Sequence, residues 1–271
     1  MPMKKTLTLA GSDSSGGAGI QADLKTFQEY GVYGMNALTS IVTMDPDNAW
    51  SHEVFPIDVN AVEKQLSTIL SIGVDAMKTG MLGSVEIIEL GARKIDDYKL
   101  NNIVIDPVMV CKGEDEVLQP ENTDAMRELL IPRATITTPN LFEAGQLAET
   151  GPIKPIDEMK EAAVKIHGLG AQNVVIKGGK ALDHEKAIDL FYDGSAFILL
   201  EKDKLDTTYN HGAGCTFAAA ITANLAHGKS VADAVTAAKD FVTAAIGHGW
   251  KMNEHVGPVM HGAYNQFGSD K

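Results

Sequence analysis

The sequence predicts an α/β fold, with a mostly parallel sheet covered by helices on both faces. Three observations carry that expectation. Short runs of β-branched and aliphatic residues alternate with longer stretches of helical periodicity along the 271 residues. One short run, "NNIVIDPVMV" (101–110), is apolar enough to be a strand buried on both sides, as in parallel sheets. No linker, repeat or low-complexity tract breaks the pattern, so 1–271 reads as one domain.

The elements follow in order. "TLTLAG" (6–11) is the first strand, and "GAGIQADLKTFQEYG" (17–31) is a helix with Ile20, Leu24 and Phe27 on one face. "MNALTSIVTM" (35–44) reads as a strand, 59–73 as a helix, "DAMKTGML" (75–82) as a strand and 84–99 as a helix. After 101–110 come the strand "ATITTPN" (134–140), helices from Leu141 and over 156–169, and the strand "QNVVIKGG" (172–179). "AIDLFYDGSAFILLEK" (187–202) is a hairpin, because Asp193-Gly194-Ser195 supplies a turn between two alternating runs. Alanine-rich helices over 213–227 and 231–247 close the chain. The longest irregular segment, "CKGEDEVLQPENT" (111–123), is either a solvated connection or an active-site lid.

A formal charge of −13 argues against a nucleic-acid or anionic-membrane surface, though local N–H groups and lysines could still hold an anionic ligand. The two cysteines, Cys111 and Cys215, form no disulfide framework, which points to a reducing cytoplasm. The start is basic and then apolar, but the apolar part is short and runs into Ser12-Asp13-Ser14-Ser15, so it reads as a strand rather than a signal segment. No run approaches the roughly 18 apolar residues of a membrane span. The eight histidines show no zinc-binding spacing.

Ligands of open α/β sheets bind beyond the carboxyl ends of the strands, and the unusual residues gather there. "GSDSSGGAGIQAD" lacks both the Lys-Ser/Thr pair of a P-loop and the G-x-G-x-x-G spacing of a dinucleotide fold, so it is either a tight packing turn or a ligand loop. "NHGAGCTFAAA" leaves the backbone bare at Gly212, Ala213 and Gly214 where a helix begins, a suitable anion hole. Its bland alternative is a tight loop with Cys215 as a small buried hydrophobe. The same helix N-terminus would favour a Cys215 thiolate.

These residues resemble a known family. "HGAGC" is similar to the "GAGD" signature of the ribokinase superfamily, with Cys215 where sugar kinases carry an aspartate base, and "TPNLFEA" contains its N-x-x-E pattern as Asn140 and Glu143. "AGSDSSGGAGIQADLKTF", "MKTGML", "DPVMV" and "KGGK" resemble, in order, the hydroxymethylpyrimidine kinase branch. Met44 stands where the pyrimidine kinases carry glutamine, and Cys111 follows "DPVMV". That pair of features resembles the dual-cysteine bacterial pyridoxal kinases of this branch.

The resemblance implies a ribokinase-like three-layer αβα sandwich with a lid at 111–123, working as a homodimer. It implies transfer of the ATP γ-phosphoryl group to the hydroxymethyl oxygen of pyridoxal, with pyridoxine and pyridoxamine as further acceptors, in vitamin B6 salvage. The alternative is a hydroxymethylpyrimidine (phosphate) kinase of thiamine biosynthesis, and a non-catalytic B6-binding protein is a third reading. Gly212 and Gly214 would cradle the transferred charge, with Cys215, Cys111 and His211 at the catalytic centre. ATP would meet Asn140, Glu143, Lys177, Gly178, Gly179, Lys180, Ala181, Asp189, Gly214 and Lys239. Glu143 would hold Mg²⁺ through water, and a monovalent cation such as K⁺ is a further candidate. The acceptor would meet Gly11, Asp23, Met44, Met81 and Val108, with Asp13 as a further polar contact. Pyridoxal carries an aldehyde to which a thiol adds reversibly, so Cys215 reads as an aldehyde trap, activated or shielded by Cys111.

Overall fold

The computed structural model describes residues 2–109 and 120–268. The strands are β1 (Lys5–Asp13), β2 (Tyr33–Asp45), β3 (Ser51–Pro56), β4 (Ala76–Thr79), β5 (Ile103–Ile105), β6 (Ile136–Thr137), β7 (Val174–Gly179), β8 (Lys186–Tyr192) and β9 (Phe197–Asp203). Among the described residues they form a nine-stranded sheet in the order β3-β2-β1-β4-β5-β6-β7-β8-β9. β2, β1, β4, β5, β6 and β7 run parallel, while β3, β8 and β9 pair antiparallel at the two edges.

The chain steps from β1 to β2 in one direction, then crosses β1 to lay down β4 and the strands beyond. Right-handed crossovers therefore put the intervening helices on opposite faces before and after that reversal. One face carries α2 (Val59–Ile72), α3 (Val85–Asp97), α4 (Pro120–Ala125), α5 (Leu141–Ala148) and α6 (Ile156–Gly168). The other carries α1 (Gly19–Glu29), α7 (Ala213–Ala226) and α8 (Val231–Gly247), with α9 (Ala263–Phe267) packed against α8. Strand alternation feeds both layers: Ile103, Ile105, Val174 and Ile176 join the first core, and Val104 and Val175 join the second. The mostly parallel αβα sandwich expected from the sequence is thus observed.

α7 is buried on almost every side from Thr216 to Ala226. Ala219 and Ala223 let α1 approach closely enough for Phe27 and Val32 to pack between the two helices. This fixes where the start of α7 points, which is the carboxyl end of the sheet.

Four expectations are corrected. β3 was not foreseen; it pairs with β2 from Ser40↔Pro56 to Asp45↔Ser51 after a turn in which Ala49 and Trp50 take positive φ. "DAMKTGML" pairs only over Ala76–Thr79, and "NNIVIDPVMV" only over Ile103–Ile105. Pro107 has no N–H for a ladder, and the Val108 N–H turns back to the Asp106 carbonyl at 2.9 Å. Pro120–Thr123, expected as part of an irregular segment, form the first turn of α4, a favoured start for a proline. The rest of the expected lid, Cys111 included, lies outside the described residues. Among the described residues no helix is long and apolar enough to cross a membrane.

Candidate active site

Between β1 and β4 the strand order reverses, and a crevice opens beyond the carboxyl ends of these strands. A cavity of about 240 Å³ lies there, walled by Gly11 and Asp13 at the end of β1, Met44 on β2, Met81 after β4, Val108 after β5 and the 210–215 segment. A second cavity of about 510 Å³ adjoins it, between the end of β7, β8, the 202–207 segment and α8. Asn140, Glu143, Lys177, Asn210, Ala213 and Gly214 border both. The start of α7 is therefore the seam between two compartments.

Glycines make that seam possible. Gly212, the residue before α7, has φ +81, and a Cβ there would collide with the Gly17 carbonyl. Gly17 in turn leaves room for the His211 ring. The Ala213 N–H turns back to the Asn210 carbonyl at 3.1 Å, while Gly214 and Cys215, in the first turn, have no carbonyl behind them in the helix. The first-turn N–H groups without an intrahelical carbonyl thus include those of Gly214 and Cys215, further into α7 than Gly212.

His211 Nε2 and Asp13 Oδ2 are 2.7 Å apart, both buried. The Asp13 carboxylate also accepts from the N–H groups of Ser15 and Ala18, each at 2.8 Å. Burial pushes Asp13 up, but the bonds from His211 and Ser15 outweigh it and hold its carboxyl far below the usual range. This dyad ties the first glycine-rich loop to the 211–214 turn.

At the seam, Lys177 Nζ donates to Asp106 Oδ1 at 3.0 Å, and Thr138 Oγ1 donates to the same oxygen at 2.9 Å. Burial opposes the charge on Lys177, yet Asp106 and Glu143 raise it above the ordinary lysine value. Asn140 and Glu143 form a capping box at the start of α5, each side chain accepting the other's N–H at 2.8 Å. The N-x-x-E spacing therefore has a structural function as well as facing both cavities. Burial, with help from Asp106 and against Lys177, raises Glu143 to about 7.

In the second cavity, Lys239 Nζ donates to Asp189 Oδ2 at 2.7 Å, and Asp189 Oδ1 accepts from the Gly179 N–H at 3.1 Å. Lys239 is buried rather than a surface lysine. Gly179 and Lys180 line this cavity. Gly178 and Ala181 do not: a Cβ on Gly178 would meet the Ile188 carbonyl and Leu182, and Ala181 is exposed.

Gly11, Met44, Met81, Val108, His211, Gly212, Gly214 and Cys215 all line the first cavity. Asp23 does not. It is fully buried beneath the cavity, where its Oδ2 accepts from Thr8 Oγ1 at 2.6 Å and Lys78 Nζ at 3.0 Å. The thiolate expected at Cys215 is also corrected. Burial pushes the thiol up to about 11, against the lowering from Lys78 and the Gly19 N–H and with further raising from Asp23 and Asp106. Here burial outweighs both the helix N-terminus and Lys78, so the thiol is favoured over the thiolate.

Sequence reasoning missed Lys78, Asp106 and His52 as cavity residues. Lys78 and Asp106 were visible as charges inside or just beyond otherwise apolar strands, a costly placement that signals a partner. His52 gave no signal because β3 itself was unforeseen.

Two pockets share the N-terminus of a buried helix, one small and one lined by a lysine–carboxylate pair, an arrangement that suits a small-molecule kinase. Comparison with known proteins narrows the class. Residues 13–260 match the Phosphomethylpyrimidine kinase family model. The chain is 61% identical over 264 residues to the pyridoxine kinase of Bacillus subtilis, covering 97% of each chain. It superposes with a TM-score of 0.94 on the pyridoxal kinase of Staphylococcus aureus in complex with AMP-PCP and pyridoxal, at 57% identity, covering 98% of this chain and 96% of that one. It is 42% identical over 268 residues to the hydroxymethylpyrimidine/phosphomethylpyrimidine kinase of Bacillus subtilis, covering 98% of this chain and 97% of the relative. The chain belongs to the phosphomethylpyrimidine kinase family of the ribokinase superfamily, and it is more similar to these pyridoxine and pyridoxal kinases than to this pyrimidine kinase.

Proposed function

We propose that this protein transfers the γ-phosphoryl group of ATP to the hydroxymethyl oxygen of pyridoxal, giving pyridoxal 5′-phosphate in vitamin B6 salvage. The observation that carries the reading is the near-complete superposition on a kinase that holds an ATP analogue and pyridoxal together. Within this chain, Met44 and Cys215 on the walls of the first cavity favour pyridoxal over the pyrimidine. The weaker similarity to the pyrimidine kinase of Bacillus subtilis makes that activity the second reading.

The small cavity takes the acceptor ring against Met44, Met81 and Val108, with Gly11 leaving space beside them. The larger cavity takes the nucleotide, with Lys239 and Asp189 at its wall and Gly179 and Lys180 at its rim. Gly178 and Ala181 belong to the 177–181 turn without lining the cavity. The transferred group passes the start of α7, where the Gly214 and Cys215 N–H groups and Lys177 meet developing charge. His211, held by Asp13, fixes the turn that aims these donors.

The residues at the seam suit Mg²⁺, which keeps several waters and substrate phosphates and needs few protein ligands. Among the described residues no cluster of three or more ligating side chains is found, and Glu143, with Asn140 beside it, would hold the ion through water. The ion would neutralise phosphate charge during transfer. A monovalent cation such as K⁺ is a further candidate, tested by the potassium dependence of the rate. A cytoplasmic location and homodimeric assembly belong to the same proposal; light scattering tests the second.

Cys215 captures the aldehyde as a hemithioacetal in this reading, and Cys111 assists it from outside the described residues. ³¹P NMR of a mixture of enzyme, ATP, Mg²⁺ and pyridoxal tests the activity. A phosphate monoester on the hydroxymethyl group is expected; ATP hydrolysis without that product would overturn it.

A further inference from the structure

The unforeseen strand β3 is an edge strand, held in the sheet by β2 alone, and its residues are exposed except for His52. His52 lies directly opposite Met44 in the β2–β3 register, and both line the smaller cavity. The charged groups of that cavity are committed elsewhere: Asp13 to His211, Lys78 to Asp23 and Asp106 to Lys177. His52 has no hydrogen-bond or ion-pair partner among the described residues. Met44 beside it is a thioether, which hydrogen-bonds weakly. A pyridine ring bearing a hydroxyl group presents a polar edge, and an imidazole can both donate to it and accept from it.

An edge hairpin keeps a fixed aim only if something beyond the sheet holds it. The turn between β2 and β3 is closed by the Trp50 N–H to the Asp45 carbonyl and the Ser51 N–H to the Asn48 carbonyl, each at 3.0 Å. It carries Ala49 at φ +50 and Trp50 at φ +64, a region that suits glycine and is costly for a bulky side chain. In this conformation the Trp50 indole stacks on the His255 ring, with centroids 6.2 Å apart and planes within 15°. The Trp50 Nε1 is buried without a hydrogen-bond partner among the described residues, so the indole serves through its ring face. His255 belongs to a segment knitted to the turn before α7. The His211 N–H donates to the Gly257 carbonyl and the Val259 N–H to the His211 carbonyl, both at 3.1 Å. The stack therefore ties the hairpin to the framework that carries His211.

We propose that Trp50 is a positioning residue: stacked on His255, it latches the β2–β3 hairpin so that His52 meets the polar edge of the phosphate-accepting ring. This explains why a bulky residue stands in a turn where glycine would be less strained. It also gives the exposed edge strand a function in recognising the substrate. The proposal rests on the smaller cavity being the acceptor site.

Steady-state kinetics with each substrate varied in turn tests it. Trp50→Ala is expected to raise the KM for the acceptor about fivefold, the scale of one aromatic pair, and to leave the KM for ATP unchanged. Trp50→Phe is expected to restore the parent value. His255→Ala is expected to match Trp50→Ala, and the double variant to be no worse than either single one. His52→Ala is expected to show the same selective defect. An unchanged acceptor KM in folded Trp50→Ala, equal rises in both KM values, or additive effects of Trp50→Ala and His255→Ala would overturn the proposal. Should Trp50→Ala not fold, the exposed partner decides: His255→Phe is expected to keep the acceptor KM that His255→Ala loses, and equal values overturn the latch. The acceptor in every arm is whichever of pyridoxal and hydroxymethylpyrimidine the wild-type protein turns over faster, so failure of the pyridoxal reading leaves this test standing. If neither is turned over, the Kd for pyridoxal from calorimetry takes the place of KM, with the same expected and contrary results.

Discussion

Lys177 Nζ lies 3.0 Å from Asp106 Oδ1, and this bond holds the lysine at the border of the two cavities. The carboxylate is 2% exposed on its side chain, so it keeps the ammonium in place without water to loosen it. Lys177→Met removes the cation proposed to meet the transferred group, at the border of both cavities. Its kcat is expected to fall on the order of a hundredfold in a coupled ATP assay. The buried Asp106 is left with Thr138 alone, and urea unfolding is expected to show a loss of about 3 kcal/mol.

The Asp189–Lys239 pair lines the larger cavity and not the smaller, so its proposed role is confined to the nucleotide. Lys239→Ala leaves a buried carboxylate that still holds the Gly179 N–H. The expected result is a raised KM for ATP, an unchanged KM for pyridoxal and a stability loss of about 3 kcal/mol. Steady-state kinetics with each substrate varied in turn checks the split.

Gly212 and Gly214 sit two residues apart and should respond in opposite ways. Gly212→Ala forces a side chain into a positive-φ position and onto the Gly17 carbonyl, at a cost of about 3 kcal/mol in thermal or urea unfolding. Among the described residues, a Cβ on Gly214 meets only Lys177 Nζ, at 3.4 Å. Gly214→Ala is therefore expected to keep its stability and lose turnover, because the methyl group crowds the phosphate path.

Glu143 links activity to pH. Burial raises its carboxyl to about 7, so a proton competes with any cation it holds in the neutral range. Apparent Mg²⁺ affinity, from initial rates at varied Mg²⁺, is expected to tighten from pH 6 to pH 8. Glu143→Gln is expected to be slower and to lack that dependence.

Asp13 is shifted in the opposite direction to Glu143, and its effect is on stability. Its folded carboxyl is held below its ordinary value of 3.8, so near that pH the unfolded chain binds more protons. The stabilisation is present above about pH 4 and is lost as acid titrates the folded group. Asp13→Asn is expected to be less stable than the parent at pH 7, with the gap narrowing in urea titrations below that window.

Much of this site was readable because its motifs lie where strands end. The 11–19 loop, "KTGML", "DPVMV" and "NHGAGC" each follow a strand or open a helix, and the parallel sheet brings those ends together. Depth was not readable. Asp23 looked like a substrate contact because its motif was recognised, but the face of α1 that carries it points into the protein. Cys215 looked like a thiolate because a helix N-terminus is visible in sequence, whereas the burial that opposes ionisation arises only when α1, β4 and α7 pack. β3 escaped notice because "SHEVFP" is short and polar and takes its order from pairing with β2.

The central claim is that pyridoxal is the acceptor and ATP the donor. The most direct measurement is kcat/KM for pyridoxal, pyridoxine and hydroxymethylpyrimidine in one ATP- and Mg²⁺-dependent assay, with the wild-type protein and Cys215→Ala. Pyridoxal is expected to be turned over faster than the pyrimidine, and Cys215→Ala to lower the pyridoxal value at least tenfold while sparing pyridoxine. Faster turnover of the pyrimidine, or full pyridoxal activity in Cys215→Ala, would contradict it.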